Sequence, residues 1–209
     1  MDPSAACPCR NSSFAIHGME TELQISEVYS GDYGCIAWPS SIVLATLIAR
    51  HSSLFSSARV LELGCGVGLP GIVAAKCGSV VHLTDVGQPA GILENCRDNC
   101  KRNHVDSKCH VFPLYWGHIT KELLQLEPID LVIGADLFYD SKLIDSLLAT
   151  LSFLLKRNPH CRFLFVLPER LYMKRIESYL ETWELPYAVA FYDGDTTEQI
   201  VLLYSTSLQ

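Results

Sequence analysis

The sequence predicts an α/β fold: a Rossmann-like sheet of seven strands, mostly parallel, with an antiparallel last strand and helices on both faces. Three observations predict it. From residue 59 onward short apolar strands alternate with helical segments, the pattern of a parallel sheet covered on both sides. The glycine-rich turn Gly64-Cys65-Gly66-Val67-Gly68 follows the first of those strands. The last two strands are separated by only about six residues, too few for a parallel crossover, so they pair antiparallel.

Residues 1–30 read as an N-terminal tail and hairpin, and residues 31–209 as a single domain. The tail is loose to about residue 12; Phe14–His17 and Leu23–Val28 supply the hairpin strands. Ser40 and Ser41 precede the apolar residues Val43, Leu44, Leu47 and Ile48, and a serine before such a run signals a helix start, here over 40–51. Arg59–Leu63 is a buried strand, 71–76 a short helix stopped by Gly78, and Val80–Thr84 the second strand. A helix over 89–103 carries Ile92, Leu93, Cys96 and Cys100 on one face. His110–Leu114 is a strand weakened by Pro113, and Asp130–Ala135 the next strand. The helix over 141–157 has an apolar stripe from Ile144 to Leu155. Arg162–Leu167 is a strand, Glu169–Trp183 a helix, and Ala188–Tyr192 and Gln199–Tyr204 the closing strands.

Composition narrows the function classes. With 209 residues, 49% hydrophobic and 19% charged, the chain can bury a full core and is not a disordered type. A net charge of -7 and no basic run longer than Lys101-Arg102 argue against a nucleic-acid footprint and favour small-molecule or basic protein partners. The nine cysteines are odd in number and include no C-x-x-C pair, so no disulfide framework or metal site is expected; reduced thiols of a cytoplasmic or nuclear protein are. The first twenty residues hold no long apolar stretch, and no apolar run could span a bilayer, so neither a signal peptide nor a membrane helix is expected.

The chemistry lies in Glu62-Leu63-Gly64-Cys65-Gly66-Val67-Gly68. Glycines let a backbone turn sharply and approach a ligand, and a following helix N-terminus favours negative charge such as a carboxylate. Gly66, Gly68 and Gly71 fit the dinucleotide pattern G-x-G-x-x-G, which keeps a nicotinamide-dependent oxidoreductase open. Glu62 weighs against it. An acid two residues before the first glycine resembles motif I of S-adenosylmethionine methyltransferases, because a sulfonium ligand with an ammonium group suits an acidic pocket and a pyrophosphate does not. Asp85 ends the second strand, where a carboxylate can accept both ribose hydroxyls. The plainer alternatives are a capping acid at Glu62 and a turn residue at Asp85.

Further blocks extend the likeness: Trp38-Pro39-Ser40-Ser41 before Val43-Leu44-Ala45, Leu69-Pro70-Gly71, Trp116-Gly117, and Gly134-Ala135-Asp136-Leu137-Phe138-Tyr139. Together they resemble family 16 of the seven-strand protein methyltransferases over roughly residues 25 to 185, with a weaker match after Pro186. The resemblance implies S-adenosyl-L-methionine as cofactor and S-adenosyl-L-homocysteine as product. It implies that Trp38, Glu62, Gly64 and Gly66 hold the methionine end, Asp85 the ribose, and Trp116 the adenine, with Ala135 among the cofactor contacts. Asp136 and Tyr139 match the family's D-x-x-Y/F motif and become the catalytic pair beside the substrate channel. The implied substrate is a protein arginine, with a histone or other basic protein as partner. Protein lysine is the alternative; a small-molecule methyltransferase and an inactive cofactor-binding module stay open beside it. The N-P-P-Y-type motif of nucleic-acid amino methyltransferases is absent at 136–139.

Overall fold

A computed structural model of the protein describes residues 9–28, 33–87, 91–168, 174–192 and 200–205. An N-terminal antiparallel pair, β1 (Cys9–Phe14) and β2 (Leu23–Val28), aligns Cys9 with Val28 and Phe14 with Leu23. The first strand therefore lies about five residues before the expected Phe14–His17, in the stretch read as loose tail. Its sequence, CRNSSF, is polar and mostly exposed. It is held by the β2 ladder and by hydroxyls, with Ser12 donating to Glu27 at 2.6 Å and Ser13 to Glu22. Burial patterning cannot reveal such a strand.

A 3-10 turn (Tyr33–Cys35) leads to α1 (Pro39–Arg50). The expected serine cap is not what starts this helix. Trp38 is the N-cap with extended backbone, and Pro39 sits at the first helical position, where its missing N–H costs nothing. The two serines lie inside the first turn. Then follow α2 (Ser52–Phe55), β3 (Arg59–Leu63), α3 (Leu69–Lys76), β4 (Val80–Asp85), α4 (Gly91–Arg102), β5 (Cys109–Pro113), α5 (Lys121–Gln125) and β6 (Leu131–Ala135). The chain closes with α6 (Ile144–Arg157), β7 (Arg162–Pro168), α7 (Lys174–Thr182), β8 (Tyr187–Tyr192) and β9 (Ile200–Ser205). The 3-10 turn, α2 and α5 are absent from the sequence reading. Of these, α5 had a signal: Thr120 caps it by accepting the Leu123 N–H at 3.2 Å. The start of the helix expected over 169–183 and the residues 89 and 90 expected in α4 lie outside the described residues.

Seven strands form one sheet in the order β5-β4-β3-β6-β7-β9-β8. The pairs from β5 to β7 are parallel, and β9 runs antiparallel between β7 and β8. Strand alternation divides the core. Val60, Val81, Leu83, Ile133 and Val166 pack with residues of α1, α3 and α4. Leu61, Leu63, Val132, Phe163, Phe165 and Leu167 pack with residues of α5, α6 and α7. Both faces are thus covered, and the loops at the carboxyl ends of β3, β4 and β6 are gathered at one edge, where open α/β sheets bind ligands. No helix among the described residues is long and apolar enough to cross a membrane.

The hairpin is fastened to this sheet by an asparagine ladder. Asn95 and Asn99 on α4, and Asn103 just past its last residue, recur every fourth position and so line up on one side. Asn99 is fully buried; it accepts the Ser26 N–H at 2.7 Å and donates to the carbonyls of Ser26 at 3.1 Å and Val67 at 3.0 Å. Asn103 accepts the Gln24 N–H at 3.0 Å and donates to its carbonyl at 2.8 Å. These amides stand in for a neighbouring strand along β2, and Asn99 ties β2 to the glycine loop. An Asn99→Ala variant leaves buried backbone groups unpaired, which costs about 2–3 kcal/mol and roughly 5–10 °C in Tm. Thermal unfolding checks this; an unchanged Tm removes the ladder from the account.

Candidate active site

The carboxyl ends of β3, β4 and β6 surround a cavity of about 500 Å³. Every residue singled out from the sequence lines it: Trp38, Glu62, Gly64, Gly66, Asp85, Trp116, Ala135, Asp136 and Tyr139. Gly34, Ile36, Tyr115, His118, Leu137, Leu143 and Ser146 line it as well and have no site role in the sequence reading. For His118 a signal existed, since it directly follows the quoted Trp116-Gly117.

Glu62 sits on β3 with 1% of its surface exposed. Its Oε2 accepts the N–H of Gly71 at 2.9 Å. Gly71 lies in the first turn of α3, whose leading N–H groups have no intrahelical acceptor, so the carboxylate caps the helix from across the loop. Burial pushes the Glu62 carboxyl well above its ordinary value of 4.5; the Gly71 N–H opposes this, and Cys100 and Asp85 add to it. The capping reading and the ligand reading therefore meet in one side chain. A Cβ on Gly71 would stand 2.5 Å from Glu62 Oε2 and 2.3 Å from Leu83 Cδ2.

The loop between β3 and α3 depends on backbone that few residues adopt. Gly64 and Gly66 have φ of 62° and 51°, and a Cβ at Gly66 would approach the Gly34 carbonyl oxygen to 3.2 Å. Asp85, at the end of β4, pins this loop. Its Oδ2 accepts the Gly66 N–H at 2.8 Å and its Oδ1 the Val86 N–H at 2.7 Å. Burial raises the Asp85 carboxyl and these two bonds oppose the rise. Each of its oxygens keeps a second lone pair for a ligand hydroxyl.

Asp136 follows β6 with φ of 56°, a left-handed conformation that costs a non-glycine residue about 1 kcal/mol. Its N–H is held by the Val166 carbonyl at 2.9 Å, and its Oδ1 accepts the Ser40 hydroxyl at 3.1 Å. The turn drives Leu137 into the gap between strand ends, where a Cβ on Gly134 would meet it at 2.4 Å and one on Gly64 at 2.9 Å. Tyr139 is 46% exposed at the cavity and lies 6.3 Å from Trp116 between ring centroids, tilted by 53°.

Four thiols lie behind the loop. Cys65 and Cys96 are buried with sulfurs 3.7 Å apart, and Cys100 and Cys109 continue the group. The contact with Cys96 lowers the Cys65 thiol, but burial and the carboxylates of Asp85 and Glu62 outweigh it and push it up to about 11. Cys65 therefore packs there as a small hydrophobe. None of the described cysteines is in a disulfide. Among the described residues no group of three or more His, Cys, Asp or Glu side chains is arranged to hold a metal ion.

The cavity fits S-adenosylmethionine. Its lining includes the carboxylates of Glu62, Asp85 and Asp136, and no lysine or arginine among the described residues. The carboxylates of Glu62 and Asp85 suit an ammonium and a sulfonium, and they repel a pyrophosphate. The volume is within the range of small-ligand sites, and Trp38, Trp116 and Tyr139 supply aromatic walls.

Comparison with known proteins points the same way. The family described as lysine methyltransferase matches residues 18–184. Histone-arginine methyltransferase METTL23 of Xenopus laevis is 40% identical over 161 residues, covering 77% of this chain and 68% of that protein. Protein N-lysine methyltransferase METTL21A of Xenopus tropicalis is 30% identical over 168 residues, covering 79% of this chain and 74% of that protein. Among solved structures, a SAM-dependent methyltransferase from Aquifex aeolicus shares the fold, with a TM-score of 0.62 at 13% identity, covering 81% of this chain and 94% of the other.

Gly71→Ala is expected to displace Glu62 and to weaken S-adenosylmethionine binding at least tenfold. Calorimetric titration of the folded variant checks this, and wild-type affinity would refute the packing argument.

Proposed function

Since the chain belongs to the lysine methyltransferase family and is, as such, an S-adenosylmethionine-dependent methyltransferase, we propose that it transfers the methyl group to an arginine side chain of a basic protein. The observation that carries this reading is the placement of Asp136 and the Trp116–Tyr139 pair in one acidic cavity with Glu62 and Asp85. The METTL23 likeness at 40% identity supports arginine and a histone-type partner. Lysine is the second reading, favoured by the family's description and by METTL21A at 30% identity. The net charge of -7 suits a basic partner in either case. We place the protein in the cytoplasm or nucleus, where reducing conditions suit its cysteines.

In the proposed mechanism Glu62 and Trp38 would hold the methionine end of the cofactor, Asp85 its ribose hydroxyls and Trp116 its adenine, with Gly64, Gly66 and Ala135 supplying close backbone. When bound, S-adenosylmethionine supplies an electrophilic methyl group on sulfur, which transfers by in-line displacement. Positioning of the acceptor therefore supplies much of the rate. Arginine arrives protonated, with a pKa above about 12. Asp136 accepts hydrogen bonds from the guanidinium and orients one nitrogen toward the methyl group. The Tyr139 ring, tilted against Trp116, offers a face on which a planar cation stacks. The proton leaves to a base or water, since a nitrogen lone pair must be free to react.

Two outcomes test this reading. Purified protein incubated with methyl-labelled S-adenosylmethionine and a hypomethylated cell extract should yield labelled methylarginine on hydrolysis, and Asp136→Ala should lose it while keeping cofactor affinity within about twofold. Methyllysine would move the acceptor to the second reading, and full turnover in the variant would remove Asp136 from the site. The second outcome concerns protons. Without ligand, folded Glu62 keeps its proton at pH values where the unfolded chain has lost it. Its contribution to stability is therefore fully present below the ordinary value of 4.5 and is lost as pH rises through the raised folded value. A cationic ligand favours the ionised form, so binding should release a proton in that window and tighten as pH rises through it. Calorimetry in buffers of different ionisation enthalpy should show the release in wild type and not in Glu62→Gln.

A further inference from the structure

The carboxylate that faces the acceptor is itself held from a distant part of the chain. Ser40 lies in the first turn of α1 and is fully buried. Its neighbour Ser41 makes the local bond common in helices, donating to the Trp38 carbonyl at 2.6 Å. Ser40 does not turn back to its own helix. It donates to Asp136 Oδ1 at 3.1 Å, 96 positions further along the sequence.

The surrounding scaffold gives this bond a fixed geometry. α1 packs against β6, which ends just before Asp136, and against β7, which carries its backbone partner Val166. The backbone of Asp136 is held at φ of 56°, with its N–H on the Val166 carbonyl. The side chain then has two torsions left. The second, about the bond to the carboxylate, is broad and nearly two-fold, so backbone restraint alone does not fix the plane of the carboxylate. A buried donor on one oxygen does.

We propose that Ser40 is a positioning residue for the transfer reaction: its hydroxyl, bonded to Oδ1 of Asp136, fixes the orientation in which the carboxylate meets the acceptor nitrogen. This rests on the reading of Asp136 as the group that orients the acceptor. Ser40 is not among the residues that line the cavity, and it acts through the carboxylate. A hydrogen bond from a neutral donor to a charged group corresponds to roughly ten- to hundredfold in an equilibrium or a rate.

The test compares wild type with Ser40→Ala, Ser40→Cys, Ser40→Thr and Asp136→Ala. Initial rates are read with methyl-labelled S-adenosylmethionine on hypomethylated cell extract, beside cofactor Kd and Tm. Alanine removes the hydroxyl, and cysteine keeps the bulk with only a weak donor. Both should lower the rate tenfold or more with cofactor Kd within twofold of wild type, whereas threonine, which keeps the hydroxyl, should stay within about threefold. Wild-type rates in the alanine and cysteine variants would overturn the proposal. So would a rate loss matched by an equal loss of cofactor affinity, or a folded threonine variant as slow as alanine. If the added methyl unfolds the threonine variant, the alanine and cysteine rates and their Kd values decide. Full activity in Asp136→Ala would instead sink the reading of Asp136 on which the proposal rests, whereas an inactive Asp136→Ala beside a fully active Ser40→Ala would sink this proposal alone.

Discussion

Glu62 stands at the end of β3, almost wholly buried, with one carboxylate oxygen on the Gly71 N–H. That bond joins a central strand to the helix that follows it, and the glycine loop between them is the floor of the cavity. An acid in such a place is costly by itself, since burial opposes its charge. The cost is offset in part by the helix N-terminus, through the Gly71 N–H. The same interaction that closes the loop also fixes where the carboxylate lines the cavity. Much of the local packing follows from this one placement. Residue 71 must be glycine because the carboxylate and Leu83 occupy the space of its Cβ.

The other wall is built by a wedge. At the end of β6 the chain turns through the left-handed conformation of Asp136, and Leu137 fills the space left by two glycines, Gly64 and Gly134. The strain at Asp136 is modest, and the sheet bond to Val166, the Ser40 hydroxyl and the Leu137 packing over-determine it. One turn thus aims a carboxylate into the cavity and seals the hydrophobic layer beneath it. Rigid strand ends and a packed wedge suit a displacement reaction, where small errors of position are costly.

The N-terminal hairpin belongs to the same construction. Ile16, Leu23 and Ile25 share a core with Leu44, Val60 and Ile72, and Asn99 links β2 to Val67 of the glycine loop. Glu27 on β2 takes the Ala37 N–H at 2.9 Å, just before Trp38. Both connections run from the hairpin to residues at the cavity margin, so the edge of the fold steadies the approach to the site.

Most of the sheet was legible from periodicity. Arg59–Leu63, Val80–Asp85 and Arg162–Pro168 are apolar runs bounded by turn residues, and burial on both faces is written locally in such runs. The residues of the cavity were legible too, because Glu62, the glycines and Asp85 lie within one strand-loop-helix-strand unit with a fixed spacing. What the sequence by itself determined is therefore the alternation of elements and the chemistry at the strand ends. The tertiary structure alone decided the strand order with β9 between β7 and β8, and the hairpin register of the polar strand Cys9–Phe14. It alone decided the bonds of Glu62 to Gly71 and of Ser40 to Asp136. The physical reason is that apolar burial leaves a periodic trace in neighbouring residues. A hydrogen bond between a hydroxyl and a carboxylate 96 positions apart leaves none, because its partner is set only when the sheet brings α1 against the end of β6.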